Sequence, residues 1–392
     1  MTIVARRAPV EPQPELLDEW GVMTRLIELI SNSPDDRRIV ALIPAHNEQD
    51  GIVKTIRSLE SQTTKPDLIV VMADNCVDDT VKLARKAGAF VVETQDNKAK
   101  KAGALNQGIA LTIPWMLDSD YYVFQDADGE LSPNFMQEAL ATFEAFRKNP
   151  LRGKPLGGLS GAIVARTATN FIERAQAIEY ARGTRLMARQ RGKVHVLSGA
   201  AAVLPVKVLR ELAEKRGTLL PGKKGTYFME DSLTEDYELT LAIRHMGYDC
   251  TSTKRCPVTT DLMSNIYMLE IQRVRWYRGA MESLWLYGFN KITRRTWGGV
   301  LFTFFSSMLF PLALLGLVFS YLVYSVTPNP LYWALLPIFM TENIVVARRV
   351  DRKAFWTAVT FVPLWVYDNM MFIVYWRSLF RAIRKSNRVW IT

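Results

Sequence analysis

Between Arg38 and Asn106 the chain repeats one unit: a short apolar run, a polar loop, then a segment with helical spacing. Residues 39–43, 68–72 and 90–93 are too short for helices and rich in valine and isoleucine, so they read as strands. Residues 52–62 and 81–88 are helical in period, the second with a glycine stop, and Lys98-Ala-Lys-Lys-Ala-Gly-Ala-Leu-Asn106 opens a further helix. Strand, crossover helix, strand, repeated, predicts an α/β fold whose parallel sheet is covered by helices on both faces. The loops at the carboxyl ends of such strands share one edge, where ligands bind.

Those loops carry the charges. Tyr121-Tyr-Val-Phe-Gln-Asp-Ala-Asp-Gly129 is an apolar run that ends in two carboxylates, with Gly129 and Pro133 marking the following loop. Side chains two apart on an extended chain point the same way. Asp126 and Asp128 can therefore face one point and suit a hard cation such as Mg2+ or Mn2+, which diphosphates also coordinate. An Asp-rich turn after a strand is the plainer reading of this stretch alone. Glu48, Asp74 and Lys101, in the loops after the first three strands, converge on the same edge.

Further on, residues 171–191 read as a long helix and 193–197 as a strand. Ser198-Gly-Ala-Ala-Ala202 would then let backbone approach either a packed helix or a ligand. A helix over 234–247 begins with Ser232 and Glu235 at capping-box spacing. Glu235 and Asp236 are either first-turn acids answering the helix dipole or a catalytic base at a helix mouth. Residues 266–289 are aromatic-rich and amphipathic and contain Gln272-Arg-Val-Arg-Trp276. Near the start, Leu16, Trp20, Met23, Ile27 and Ile30 recur at helical spacing, which predicts a helix packed on the α/β domain; its polar face is not basic enough to favour a bilayer surface.

Composition bounds the rest. The net charge is +10, and residues 300–392 hold nine Lys/Arg against three Asp/Glu inside the most apolar part of the chain. A basic excess placed there favours membrane flanks over a nucleic-acid groove. Residues 300–324 carry no charge over 25 positions, where ~20 suffice to cross a bilayer. Residues 331–346 form a second apolar stretch, and 354–376 a third, interrupted by Pro363 and Asp368. Lys291, Arg294 and Arg295 before the first stretch, and Arg348, Arg349, Arg352 and Lys353 after the second, predict a hairpin with Thr327-Pro-Asn-Pro330 at the far face. The third stretch is either re-entrant or a plain span. Three scattered cysteines fit a reducing compartment and form neither a disulfide framework nor a zinc site. Met1-Thr-Ile-Val-Ala-Arg-Arg lacks the apolar core of a signal peptide. The chain thus divides into an arm and helix (1–37), an α/β domain (38–263), an amphipathic segment (264–298) and a membrane region with a basic tail (299–392).

Taken in order, Ile-Pro-Ala-His-Asn-Glu (43–48), Asp-Asn-Cys-Val-Asp-Asp (74–79), Lys-Ala-Gly-Ala-Leu-Asn (101–106), Asp-Ala-Asp (126–128), Thr-Glu-Asp (234–236) and Gln-Arg-Val-Arg-Trp (272–276) resemble family 2 glycosyltransferases. Within them the chain is similar to the membrane-integrated group that includes cellulose, chitin and hyaluronan synthases. The resemblance runs from about residue 38 to 276. It implies a GT-A fold with a mixed sheet, a divalent cation, and inverting transfer from a nucleotide-diphosphate sugar, a UDP-hexose or UDP-N-acetylhexosamine, at the cytosolic face of the cell membrane. The acceptor is a glycan, a lipid-linked group or a protein. Carried over by motif, Pro44, His46 and Glu48 hold the nucleotide base, Asp74 the ribose and uracil, and Lys101 the base or phosphates. Asp126 and Asp128 bind donor and metal, Asp128 the more direct ligand. Asp236, beside Glu235, occupies the catalytic-base position, and Gln272, Arg275 and Trp276 frame the pyrophosphate and the acceptor sugar. His46 departs from the tyrosine common among relatives, though its ring can still stack on uracil.

A processive polysaccharide synthase and a polyprenyl-phosphate glycosyltransferase are the alternatives within this class; too few helices remain to wall a channel like those of the processive synthases, so transfer of one or a few sugars is expected unless a homo-oligomer completes a pore. A nucleotidyltransferase also uses paired aspartates and a metal, but has no need of the last two motifs. An inactive transferase-like membrane scaffold is disfavoured because every motif carboxylate is present.

Overall fold

The computed structural model describes residues 18–32, 37–150, 153–324 and 330–384. In chain order the elements are α1 (Glu19–Asn32), β1 (Ile39–Ala45), α2 (Ile52–Glu60), β2 (Leu68–Ala73), α3 (Thr80–Lys86), β3 (Phe90–Glu93), α4 (Lys100–Thr112), β4 (Tyr121–Gln125), β5 (Glu130–Leu131), α5 (Phe135–Lys148), β6 (Leu156–Ala165), α6 (Phe171–Arg189), β7 (Ala201–Pro205), α7 (Val206–Lys215), α8 (Glu235–His245), β8 (Asp249–Thr260) and α9 (Ile266–Tyr287). Four more helices follow: α10 (Arg294–Tyr324), α11 (Pro330–Ala347), α12 (Arg352–Val359) and α13 (Val362–Ile383).

One eight-stranded sheet runs β3-β2-β1-β4-β7-β6-β8-β5. Its first four strands are parallel, as the strand–helix alternation requires, and β7 joins β4 antiparallel, so the sheet is mixed. Alternation along each strand builds two apolar layers. Val40, Leu42, Tyr122 and Phe124 enter one layer, and Ile39, Ala41, Ile43, Tyr121 and Val123 the other.

Three local expectations are corrected. Residues 193–197 form no strand; only Lys193 bridges, to Thr251. The strand is β7, registered with Gln125 opposite Ala201 and Tyr121 opposite Pro205, so Ser198–Gly199 lies before it and beside the carboxyl end of β4. Helix α1 packs on the domain, but through Val22 and Leu26 in the core, while Trp20 is 72% and Ile27 46% exposed. Its sequence offers two apolar stripes one residue apart, about 100° around the helix, and the sheet takes the shorter-chained one. The capping box expected at Ser232/Glu235 does not form: Thr234 stands at the N-cap and Glu235 turns to Lys101. A capping box does form at Asn170 and Glu173, opening α6.

Helix α13 packs along α9, and with α6 and α12 it encloses an apolar cluster containing Ala175, Ile178, Leu269, Leu364 and Tyr367. Helix α10 instead leaves large apolar side chains uncovered, Phe302 at 75% and Leu322 at 72% exposure among them. Among the described residues no single helix is long and apolar enough to cross a membrane. The α12–α13 pair passes that test only when taken together, bent by 82°. The break falls at Thr360–Phe361, where Phe361 has φ +58°, two residues before Pro363. The expected multi-pass arrangement is therefore not carried by these helices, and the turn expected at 327–330 lies largely outside the described residues.

Candidate active site

The carboxyl ends of β1, β2 and β4, the loop before β7, and the amino end of α8 surround a cleft of about 640 Å³ whose far wall is α9. At the end of β1, Pro44 and the loop residues His46 and Glu48 line it. The loop is set by short polar contacts: Asn47 adopts φ +54° and accepts from the Val77 amide, and the Glu48 amide donates to Thr80 Oγ1 at 2.8 Å. His46 Nδ1 donates to the Asp74 carbonyl at 2.6 Å, which ties the first loop to the second. The Asp74 carboxylate is buried and accepts through Oδ1 from Asn75, Thr94 and Asn97 at 2.7–2.9 Å. Three donors on one oxygen leave its position little freedom.

The Asp126–Asp128 turn is pinned from beneath. Thr55 on α2 shares its hydroxyl proton between the Ala127 and Gly129 carbonyls, at 2.6 and 2.8 Å, and Gln125 Nε2 donates to Gly129 O. Gly51 explains why α2 can come so close: a Cβ there would sit 2.9 Å from Ala127 O. The paired acids thus stand on a turn held by the helix of a different unit.

Charge in the cleft is unbalanced at one end and bridged at the other. Burial, then Asp126 and Asp261, push the Asp128 carboxyl up to about 6. Burial, then Asp128 and Asp126, push Glu48 up to about 7. Burial and neighbouring carboxylates both disfavour the ionised form at this end of the cleft. At the other end Lys101 Nζ, in the first turn of α4, lies 2.5 Å from Asp126 Oδ1 and 3.0 Å from Glu235 Oε1. Burial would lower this ammonium, but Asp126, Glu235 and Asp236 outweigh it and hold the pKa above the usual lysine value. Lys101 and Arg275 likewise overcome burial to keep Glu235 ionised. Asp236 goes the other way: burial and the Glu235 charge hold it up at about 6. Its Oδ2 accepts from the Gly199 amide at 3.2 Å and its Oδ1 from the Tyr237 amide at 2.7 Å. Two adjacent carboxyls are thereby driven apart, one fixed as an anion and one poised to exchange a proton.

Helix α9, capped by Asn265, places Gln272, Arg275 and Trp276 along the cleft. All the residues singled out from the sequence meet here. Asp261, Tyr180 and Asn97 line the same space and were not singled out. Asp261 could have been: like Asp126, it directly follows a strand. Asn97 and Tyr180 carry no such signal, since one acts through Asp74 and the other enters from mid-helix.

Comparison with known proteins follows this geometry. Residues 40–213 match the family model described as Glycosyl transferase family 2. The poly-beta-1,6-N-acetyl-D-glucosamine synthase of Staphylococcus epidermidis is 24% identical over 325 residues, covering 77% of this chain and 72% of that protein. The 4,4'-diaponeurosporenoate glycosyltransferase of Staphylococcus haemolyticus is 33% identical over 120 residues, about a third of either chain (29% and 30%). Among solved structures, the mannosyltransferase PcManGT of Pyrobaculum calidifontis, in complex with GDP-Man and Mn2+, superposes with a TM-score of 0.55 at 16% identity over 95% of this chain and 99% of that one. That likeness is one of fold. The match over residues 40–213 and the relatives in sequence make the protein a glycosyltransferase.

Proposed function

We propose that the protein transfers one sugar at a time from a UDP-hexose or UDP-N-acetylhexosamine to a hydroxyl acceptor, with inversion. The observation that carries this reading is the meeting, in one cleft, of the Asp126/Asp128 pair, the Glu235/Asp236 pair and the Gln272–Trp276 wall. His46 and Asp74 receive the nucleoside: the ring offers a stacking face, and the rigid carboxylate suits a ribose or base donor. Asp128 and Asp126 would hold a divalent cation. Among the described residues no three His, Cys, Asp or Glu side chains form a preassembled site, which suits an ion that takes its remaining ligands from a diphosphate and water. Burial, then Asp128 and Asp126, raise Glu48, and burial, then Asp126 and Asp261, raise Asp128, so acids crowd one end of the cleft, which supports the fit. When bound, such a cation would supply charge neutralisation on the diphosphate.

The chain's own residues do the rest. Arg275 faces the pyrophosphate and stabilises charge as it develops on the leaving oxygens. The neutral acceptor hydroxyl must lose a proton, and Asp236, with its pKa near the working range, takes it. Lys101 keeps Glu235 anionic and so keeps the proton-accepting role on Asp236. One base and one in-line attack give a single displacement. The exposed apolar length of α10, next to Lys291, Arg294 and Arg295, supports attachment of this cytosolic face to a lipid bilayer.

The test is to supply a panel of UDP-sugars with Mn2+ and to follow release of UDP, with proton NMR of the anomeric centre to read inversion. Release of pyrophosphate in place of UDP, or turnover untouched by chelation, would sink this reading. Flotation of the full chain with liposomes containing phosphatidylglycerol reads the lipid attachment separately, and failure to float overturns it.

A further inference from the structure

The second residue of the Gln-Arg-Val-Arg-Trp segment, Arg273, points away from the cleft and is among the most deeply buried cations in the protein, 1% exposed. Its guanidinium donates to Gln272 Oε1 at 3.1 Å and to Glu179 Oε2, on α6, at 3.0 Å. It also lies 4.3 Å from the centroid of the Trp276 ring. The same Glu179 oxygen accepts from Tyr367 Oη, on α13, at 2.8 Å. One cation therefore fixes the side chains of both Gln272 and Trp276, and one carboxylate links that cation to a helix far beyond residues 40–213.

We infer that Arg273 is a positioning residue, and that the Arg273–Glu179–Tyr367 relay couples the seat of α13 to the wall of the site. This rests on the reading that Gln272, Arg275 and Trp276 face the donor and acceptor. Arginine is required because its planar fork can serve Gln272 and Glu179 while its face stacks on the indole, and lysine offers neither geometry. Glu179 orients the fork, and Tyr367 tells Glu179 where α13 lies. Coupling of this kind is reciprocal, so a ligand that orders α9 must also steady α13, and loosening α13 must slow turnover.

The experiment uses the full chain in detergent, UDP with Mn2+ as the donor-site probe, and Tyr367→Phe, Glu179→Gln and Arg273→Lys as variants. Hydrogen exchange of residues 362–383 should slow on adding UDP and Mn2+ to the wild type, by about threefold or more. In Tyr367→Phe and Glu179→Gln that protection should vanish and UDP release from UDP-N-acetylglucosamine should fall about tenfold in kcat, with KM and the UDP Kd within about twofold. Arg273→Lys should not rescue. Should Arg273→Lys fail to fold, the two milder variants decide. Unchanged protection and kcat in both would overturn the coupling, and so would a fall in UDP affinity equal to the fall in kcat, which marks general disorder. Asp128→Asn and Arg275→Ala run beside them: if neither alters UDP binding or release, it is the reading of the cleft that fails. A wild type that binds neither UDP nor GDP overturns both.

Discussion

The ammonium of Lys101 stands 2.5 Å from the carboxylate of Asp126 and, on its other side, 3.0 Å from that of Glu235. It joins the turn after β4 to the first turn of α8, two segments that the sequence separates by more than a hundred residues. Lys101→Met should leave Asp126 and Glu235 facing each other without a counter-charge. A charge-assisted contact of this kind contributes about 1.5–3 kcal/mol, so kcat/KM for UDP release should fall roughly 10- to 100-fold. Full activity in Lys101→Met, measured by coupled UDP detection, would show the bridge to be incidental.

Gly199 sits where three of these groups meet. A Cβ there would lie 2.6 Å from Lys101 Nζ, 3.5 Å from Asp126 Oδ2 and 3.6 Å from Asp236 Oδ2. Because the nearest atom is the end of a flexible lysine, Gly199→Ala should fold and keep its melting temperature. Displacing Lys101 should nevertheless cost about tenfold in kcat, less than its outright removal.

Asp128→Asn is nearly isosteric and lies on a turn held by backbone contacts, so the fold should persist. UDP release should drop by about three orders of magnitude, and the Mn2+ concentration for half-maximal activity should rise. A titration that superposes on the wild type would remove Asp128 from the metal site.

The Asp236 carboxyl, held up at about 6 by burial and Glu235, sets a pH dependence. Only its ionised form can accept a proton, so kcat/KM should fall as pH drops through about 6 and level off above it. Asp236→Asn should abolish transfer at every pH while calorimetry still detects UDP binding. Loss of that binding would make Asp236 a donor ligand instead.

Beneath the site, Arg216 and Glu238 form a fully buried ion pair with contacts of 2.5 and 2.8 Å, and Tyr287 Oη donates to Glu238 at 2.6 Å. Cutting such a pair leaves a buried charge uncompensated and costs about 3–5 kcal/mol. Glu238→Leu should therefore lower the urea midpoint sharply, and Arg216→Met added to it should recover part of the loss.

Much of this was legible in the sequence because the strands of the first half are short, apolar and punctuated by acids. That pattern predicts both the parallel sheet and the edge at which Glu48, Asp74, Asp126 and Asp128 collect. Segments failed where two local solutions compete. Helix α1 has two apolar stripes, and only the packed sheet selects Val22 and Leu26. Glu235 has the spacing of a cap, yet a lysine some 130 residues earlier takes its carboxylate. The 193–197 run has strand composition, but β4 pairs with Ala201–Pro205, whose small residues let the backbone come close. Arg273 was passed over because a helix wheel cannot reveal which charged side chain its neighbours will bury.

The seating of α9 on α13 also bears on biosynthesis. The wall of the cleft rests on side chains such as Tyr375, packed against Met281 and Tyr277. While the ribosome is still adding the residues of α13, the sheet and both acid pairs can already be in place and α9 can lie on α6 and α8, but its Tyr277–Met281 face has no cover. On the reading proposed above, the wall that carries Gln272, Arg275 and Trp276 would reach its final seat only once α13 has been made and docked.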